Sequence, residues 1–319
     1  MPNADCQMPN EMLIPNSAFG NRHSAFYHPP MPLKIWIDGK FYDKEDAKIS
    51  VYDHGLLYGD GVFEGIRVYR GKIFECDAHL RRLFDSARGI RLIPPRSPQQ
   101  LKAAMEETVR INNFSDCYIR LVITRGVGYL GLNPSKCPTP SVFVIADTIE
   151  LYPPEMYEKG MYIITSTVVR THPNSLSPRI KSLNYLNNIL AKIEAADADV
   201  PEAVLLNQEG NVAECTGDNI FIVRHGQVQT PTTADGILEG VTRQVMIDLC
   251  KKLSIPCFEK TLQRHDLYIA DECFLTGTAA EVVPVTRIDG RPIGNAVPGS
   301  LTRRLMEAFH KHVRGEPNS

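Results

Sequence analysis

Arg179-Ile180-Lys181-Ser182-Leu183-Asn184-Tyr185 is the stretch that decides how this chain is read. Its lysine stands between Ile180 and Leu183, after the apolar run 161–169 and just ahead of an amphipathic run, 185–196. Most lysines are solvated surface charges. An amine held among apolar neighbours is more easily kept as the free base, the form that attacks an aldehyde or carries a proton to and from carbon. Tyr185, Leu186, Ile189, Leu190 and Ile193 recur at helical spacing and give the following helix one apolar face.

Three downstream segments share the theme. Asn211-Val212-Ala213-Glu214-Cys215-Thr216-Gly217-Asp218-Asn219 sets an acid ahead of a strand at 219–223. Glu239-Gly240-Val241-Thr242-Arg243 opens a helix, 241–253, behind a glycine. Gly240 lets backbone approach an anion, and the free N–H groups of a first helical turn favour a phosphate. Thr276-Gly277-Thr278-Ala279-Ala280 offers a hydroxyl and unhindered N–H groups. Upstream, Arg82 supplies a planar fork suited to phosphate oxygens, off the apolar stripe of its own helix, where Leu80, Leu83, Phe84 and Ala87 lie. By itself Arg82 reads more simply as an ion-pair partner on a wet helix face.

Charge narrows the classes. Thirty-five basic residues against 37 acidic ones give no reason to expect nucleic acid or an anionic membrane as partner. No apolar run approaches the roughly 18 residues that span a bilayer. Eight cysteines without CxxC or paired spacing indicate neither a disulfide framework nor a metal site, and a reducing cytoplasm is the simpler setting.

Residues 1–32, rich in Pro, Asn and Met, read as a flexible extension, with an arm acting in assembly as the alternative. A small α+β domain is expected over 33–147. Its strands fall at 34–37, 62–69, 117–124 and 142–146, and its helices at 99–111 and behind an Asp77 N-cap. The prolines at 153 and 154 mark a linker over 148–156. A larger α/β domain, 157–319, then carries Lys181, with strands at 161–169, 203–206, 219–223 and 273–276. Gly126-Val127-Gly128-Tyr129-Leu130-Gly131 matches GxGxxG, but Pro134, Pro138 and Pro140 deny it the long helix that a dinucleotide loop must open. These glycines read instead as shaping a mobile loop near a pocket.

Taken together, the lysine, the acid and the two phosphate-type turns resemble the cofactor site of class IV aminotransferases, pyridoxal 5'-phosphate enzymes of fold type IV, and most closely the branched-chain group. The likeness extends from about Ile35 to about His312 and includes His54-Gly55-Leu56-Leu57-Tyr58-Gly59-Asp60-Gly61-Val62-Phe63-Glu64-Gly65-Ile66-Arg67, His79-x-x-Arg82-Leu83 and Tyr118-Ile119-Arg120. The resemblance implies a two-domain α/β fold with the active site between the domains. It implies that Lys181 is the Schiff-base lysine, that Glu214 pairs with the ring nitrogen, and that Tyr185 bonds the phenolic oxygen. Arg82, Gly240, Val241, Thr242 and Thr278 would hold the phosphate. Tyr58, Phe63 and Tyr152 would wall the substrate pocket, Tyr118, Thr278 and Ala279 would take the α-carboxylate, and Arg120 the second carboxylate of glutamate. Arg67 joins the substrate set through the Glu-Gly-Ile-Arg motif. Leu130 and Gly131 would reach the pocket of a partner subunit in a homo-oligomer, a dimer at minimum, with dimer and hexamer both left open.

The implied reaction passes the amino group of L-leucine, L-isoleucine or L-valine to 2-oxoglutarate. Two other chemistries share the same lysine: cleavage of aminodeoxychorismate to 4-aminobenzoate and pyruvate, and transamination of D-amino acids. A non-catalytic binder is the reading of a different class, disfavoured by the intact lysine, acid and phosphate set.

Overall fold

The computed structural model describes residues 32–316, so the expected extension, apart from Pro32, lies outside the described residues. Among these residues the chain builds two sheets. The first contains β1 (Lys34–Ile37), β2 (Lys40–Asp43), β3 (Gly61–Tyr69), β4 (Lys72–Ile73), β5 (Cys117–Thr124) and β6 (Ser141–Asp147), in the order β2-β1-β6-β5-β3-β4. Its helices are α1 (His54–Tyr58), α2 (Cys76–Gly89) and α3 (Pro98–Ile111). Alternation along β6, where Val142, Val144 and Ala146 are buried, sends one face against α2 and α3. Leu80, Leu83, Ala87, Leu101, Met105 and Val109 meet that face from the helices. Helix α3 starts one residue before the expected 99, behind a capping box: Ser97 accepts from Gln100 N while the Gln100 side chain accepts from Ser97 N. The expected Asp77 N-cap is corrected. The helix begins two residues earlier, at Cys76, behind Glu75 in a left-handed conformation without a side-chain cap, and Asp77 lies in its first turn.

Residues 148–153 lead into α4 (Pro154–Lys159) and the second sheet. Its strands are β7 (Met161–Thr165), β8 (Glu202–Leu206), β9 (Val212–Cys215), β10 (Asn219–Arg224), β11 (Gln227–Thr230), β12 (Cys257–Glu259), β13 (Glu272–Gly277), β14 (Glu281–Ile288) and β15 (Arg291–Pro292). The order is β12-β11-β10-β13-β14-β7-β8-β9, with β15 added to β14. The helices are α5 (Leu186–Asp197), α6 (Val241–Lys252), α7 (Arg264–Tyr268) and α8 (Ser300–Arg314). One core packs Met246, Leu249, Leu305 and Phe309 of α6 and α8 on Phe221 and Phe274, whose rings stack 5.0 Å apart. The strand expected over 161–169 stops at Thr165; Ser166 N and Arg170 N still donate to the β8 carbonyls of Val204 and Leu206, and the chain then leaves this sheet to carry Lys181.

Helix α5 has the expected period and an unexpected orientation. Its inward residues are Asn188, Ala191 and Ala195, while Leu186, Ile189, Leu190 and Ile193 are about half exposed or more.

Candidate active site

Lys181 sits on irregular backbone that hangs from the first sheet. Strand β4 pairs only with the far end of β3, at Val68 and Tyr69, so the near end keeps a free edge. The lysine segment takes that edge: Phe63 N donates to Lys181 O at 3.0 Å, and Leu183 N donates to Gly61 O at 3.0 Å. The approach is close enough that a Cβ on Gly61 would stand 2.6 Å from a Leu183 methyl. Lys181 N donates to the Ser86 hydroxyl of α2. The side-chain amine donates to the Tyr185 hydroxyl at 3.0 Å and lies 4.6 Å from the Phe63 ring centre. Tyr185 meets Phe63 edge-on at 5.0 Å.

Glu214 comes from β9 in the second sheet and is buried. Its Oε1 accepts from Arg170 Nη2 at 2.6 Å, and its Oε2 accepts from Asn219 Nδ2 at 3.0 Å and Leu238 N at 2.9 Å. Burial raises the carboxyl pKa, and Arg170 and the Leu238 N–H offset part of that rise by favouring the anion. Arg170 is itself fixed by the Gly236 carbonyl and Asn188 Oδ1. No motif marks Arg170 in the sequence; a lone arginine after an apolar run is an ordinary strand end.

The anion end is assembled from both sheets. Gly240 is the N-cap of α6 and brings no side chain to the cap, so the N–H groups of the first turn stay available. Thr242 Oγ1 is buried and has no partner among the described residues. Arg82 is aimed by Glu64: Nε donates to Oε1 at 2.8 Å and Nη2 to Oε2 at 2.7 Å, while Nη1 donates to the Glu239 carbonyl. His79 Nδ1 donates to the same carboxylate at 2.7 Å. Burial opposes ionisation of Glu64, yet Arg82 and His79 together hold its pKa down to about 2. Thus Arg82 is an ion-pair partner, but on a fully buried acid. Arg82, Lys181, Glu214, Gly240, Val241, Thr242 and Thr278 line one small cavity.

A second cavity of about 500 Å³ opens from it, with Arg82, Lys181 and Thr278 shared between the two. Phe63, Tyr118, Arg120, Tyr152, Tyr185 and Ala279 line it. Leu151 and Ile189 add apolar wall. Arg120 lies over Phe63, 4.5 Å from the ring centre. Tyr118 reaches across β3 at Gly65, where any Cβ would collide with its hydroxyl at 1.7 Å.

Arg67 and Tyr58, both of the expected substrate set, do not line this cavity. Arg67 shares the β3 face with Phe63 but lies two rungs farther on, where Nη2 pairs with Glu281 at 3.3 Å beside the Tyr69 hydroxyl. Tyr58 ends α1 and turns to the 126–131 loop, its hydroxyl accepting from Gly131 N at 2.9 Å. Leu130 and Gly131 are exposed on that loop, outside this chain's cavity.

Another feature was not anticipated. The Tyr152 hydroxyl donates to Asp218 Oδ2 at 3.1 Å, next to Glu202, whose Oε2 meets Lys192 Nζ at 3.3 Å. Burial and the neighbouring Glu202 raise the Asp218 pKa to about 7. These residues lie 16 to 66 positions apart along the chain (Lys192 to Glu202 excepted), so no local pattern announces the cluster.

Comparison with known proteins identifies the family. The family model for amino-transferase class IV matches residues 61–288. A putative branched-chain-amino-acid aminotransferase of Methanocaldococcus jannaschii is 52% identical over 282 residues, covering 88% of this chain and 96% of that protein. The crystal structure of the Escherichia coli branched-chain amino acid aminotransferase superposes with a TM-score of 0.87 at 35% identity, covering 90% of this chain and 97% of that one. The branched-chain amino acid aminotransferase of Thermobaculum terrenum in its PLP form gives 0.81 at 32% identity, covering 90% and 95%. The fold is therefore the two-domain α/β fold of these enzymes, and the chain belongs to the class IV aminotransferases.

Proposed function

We propose that this protein is a pyridoxal 5'-phosphate-dependent transaminase that moves the amino group of L-leucine, L-isoleucine or L-valine to 2-oxoglutarate. One observation carries the reading: the Lys181 amine stands where two cavities join, one built for an anion and a ring, the other apolar with a cation in its wall. The names of the similar proteins support the substrate class, and the PLP form of one supports the cofactor.

The residues fit that cofactor. The bare N-cap at Gly240 and the unpartnered Thr242 hydroxyl are donors awaiting an acceptor, and Arg82 beside them adds positive charge. When bound, the cofactor supplies an aldehyde and an electron sink. This chain's residues do the rest. Arg82, the Val241 and Thr242 N–H groups and the Thr278 hydroxyl hold the phosphate. Glu214 holds a proton at the ring nitrogen, with Arg170 keeping the carboxylate charged. Tyr185 orients Lys181 Nζ, which moves a proton at the substrate α-carbon. Phe63, Leu151 and Ile189 receive the branched side chain and exclude water. Tyr118 and Arg120 take the carboxylates of the two substrates.

We further propose a homo-oligomer, working in the cytoplasm. The outward face of α5 and the exposed Val127, Tyr129, Leu130 and Leu132 give apolar surface of the kind that marks interfaces.

The test is the visible spectrum of the purified protein. L-leucine without an oxo acid is expected to abolish a yellow band, and 2-oxoglutarate to restore it. A yellow protein indifferent to L-leucine would overturn the substrate reading in favour of D-amino acids or the lyase reaction. A colourless protein that cannot be reconstituted would overturn the cofactor reading.

A further inference from the structure

Thr276 has no role in the chemistry described so far, yet its side chain is as conspicuous as that of Thr242. Both are 1% exposed. Both hydroxyls are buried with no hydrogen-bond partner among the described residues, and both residues line the small cavity with Arg82, Gly240 and Thr278. Buried hydroxyls are ordinarily paired, because an unmade bond leaves the group desolvated without compensation. Valine has the same shape and carries no polar atom. Val282, the neighbour of Thr276 across the β13–β14 pairing, shows that this part of the sheet accepts it.

Position indicates what the hydroxyl meets. Thr276 on β13 pairs with Asn219 on β10. Asn219 in turn presses on the N-cap of α6: a Cβ on Gly240 would stand 2.0 Å from Asn219 Oδ1. The Asn219 Nδ2 is already committed to Glu214 and the Leu238 carbonyl, and Thr276 Oγ1 makes no hydrogen bond to this neighbour. The rung that carries Thr276 therefore lies beside the helix start whose N–H groups face the cavity.

We propose that Thr276 is a phosphate ligand, its Oγ1 donating to a phosphate oxygen of the bound cofactor alongside Thr242. The inference rests on the pyridoxal 5'-phosphate reading above and adds a donor to the phosphate set of Arg82, Val241, Thr242 and Thr278. A phosphate presents several strong acceptor oxygens, enough to engage both threonines.

The test compares two vitamers on the full-length apoprotein. Dissociation constants for pyridoxal 5'-phosphate and for pyridoxal, which lacks the phosphate, are measured by absorbance titration for wild type, Thr276→Val and Thr276→Ser. The valine variant is expected to weaken binding of the phosphorylated form about tenfold or more and to leave pyridoxal within about twofold; serine should restore most of the loss. The apo valine variant should melt no lower than wild-type apoprotein, since no bond within the protein is removed. Unchanged binding of the phosphorylated form, equal losses for both vitamers, or a lower apo melting temperature would each overturn the proposal. If wild type binds neither vitamer, the cofactor reading itself falls and this one with it.

Discussion

Two buried carboxylates, Asp218 in the lining of both cavities and Glu64 behind Arg82, behave in opposite ways. Glu64, between Arg82 and His79, is held down to about 2. Asp218, between Glu202 and Tyr152, is pushed up to about 7. Burial acts on both in the same direction, upward. What separates them is the company each keeps: two nitrogen donors, one a permanent cation, against a second acid whose repulsion outweighs the Tyr152 hydrogen bond that favours the anion. Glu64 is a fixed charge that aims Arg82 at the anion end. Asp218 changes its proton near neutrality in the wall of the substrate cavity. Rigidity is concentrated where the phosphate would be held, and the adjustable charge lies on the substrate side.

Removing the fixed charge should have the largest effect. Glu64→Gln leaves Arg82 buried against an amide and is expected to destabilise the fold by about 3–5 kcal/mol, read from urea unfolding at pH 7. A variant within about 1 kcal/mol of wild type would mean that Arg82 finds another partner. The pH dependence has a definite sign. Because the folded pKa lies below the unfolded one, this stabilisation is complete above about pH 4.5 and is lost as pH falls towards 2.

Next in size is Arg170→Met, which gives Glu214 the neutral neighbour that Asp218 has in Tyr152. With its counter-charge gone, the Glu214 carboxyl should hold its proton more tightly. Turnover is expected to fall about 10- to 100-fold, the equivalent of a charged hydrogen bond of about 1.5–3 kcal/mol. The rate against pH should also shift upward, and an unchanged profile would show that Arg170 serves structure alone.

Asp218→Asn should be the mildest. The folded pKa lies above the unfolded 3.8, so the wild-type carboxyl loses stability as pH rises from about 4 to about 7 and levels off beyond. The asparagine variant should lack that slope, and melting temperatures across this range would read the difference. Parallel curves for the two proteins would remove the contrast with Glu64.

What could be read from the sequence follows from how far apart the partners lie. Lys181, Glu214, Thr242 and Thr278 sit in short motifs whose residue types carry their own chemistry, and the structure brings them to one place. Strand 117–124 is legible because apolar, β-branched residues crowd it. Arg170, the Glu64–Arg82–His79 cluster and the Asp218–Glu202 pair depend on contacts across the fold, which no local spacing encodes. Periodicity also gives a face without giving its destination. On α5 it finds the apolar stripe but cannot say that Asn188, Ala191 and Ala195 fill the inward side. Arg67 shows a related limit: β-strand alternation puts it on the same face of β3 as Phe63, and distance along the strand then brings it to Glu281.

Lys181 is suspended from the edge of one sheet, while Glu214 and the first turn of α6 belong to the other. The reactive amine and its acid are thus like the two jaws of a caliper whose frame is the whole molecule. Any slight parting of the sheets opens the jaws while each sheet's own ladder of hydrogen bonds stays whole. On gentle heating, chemistry should fade before secondary structure does, which makes the reaction itself a finer gauge of this protein's integrity than its helix and strand content.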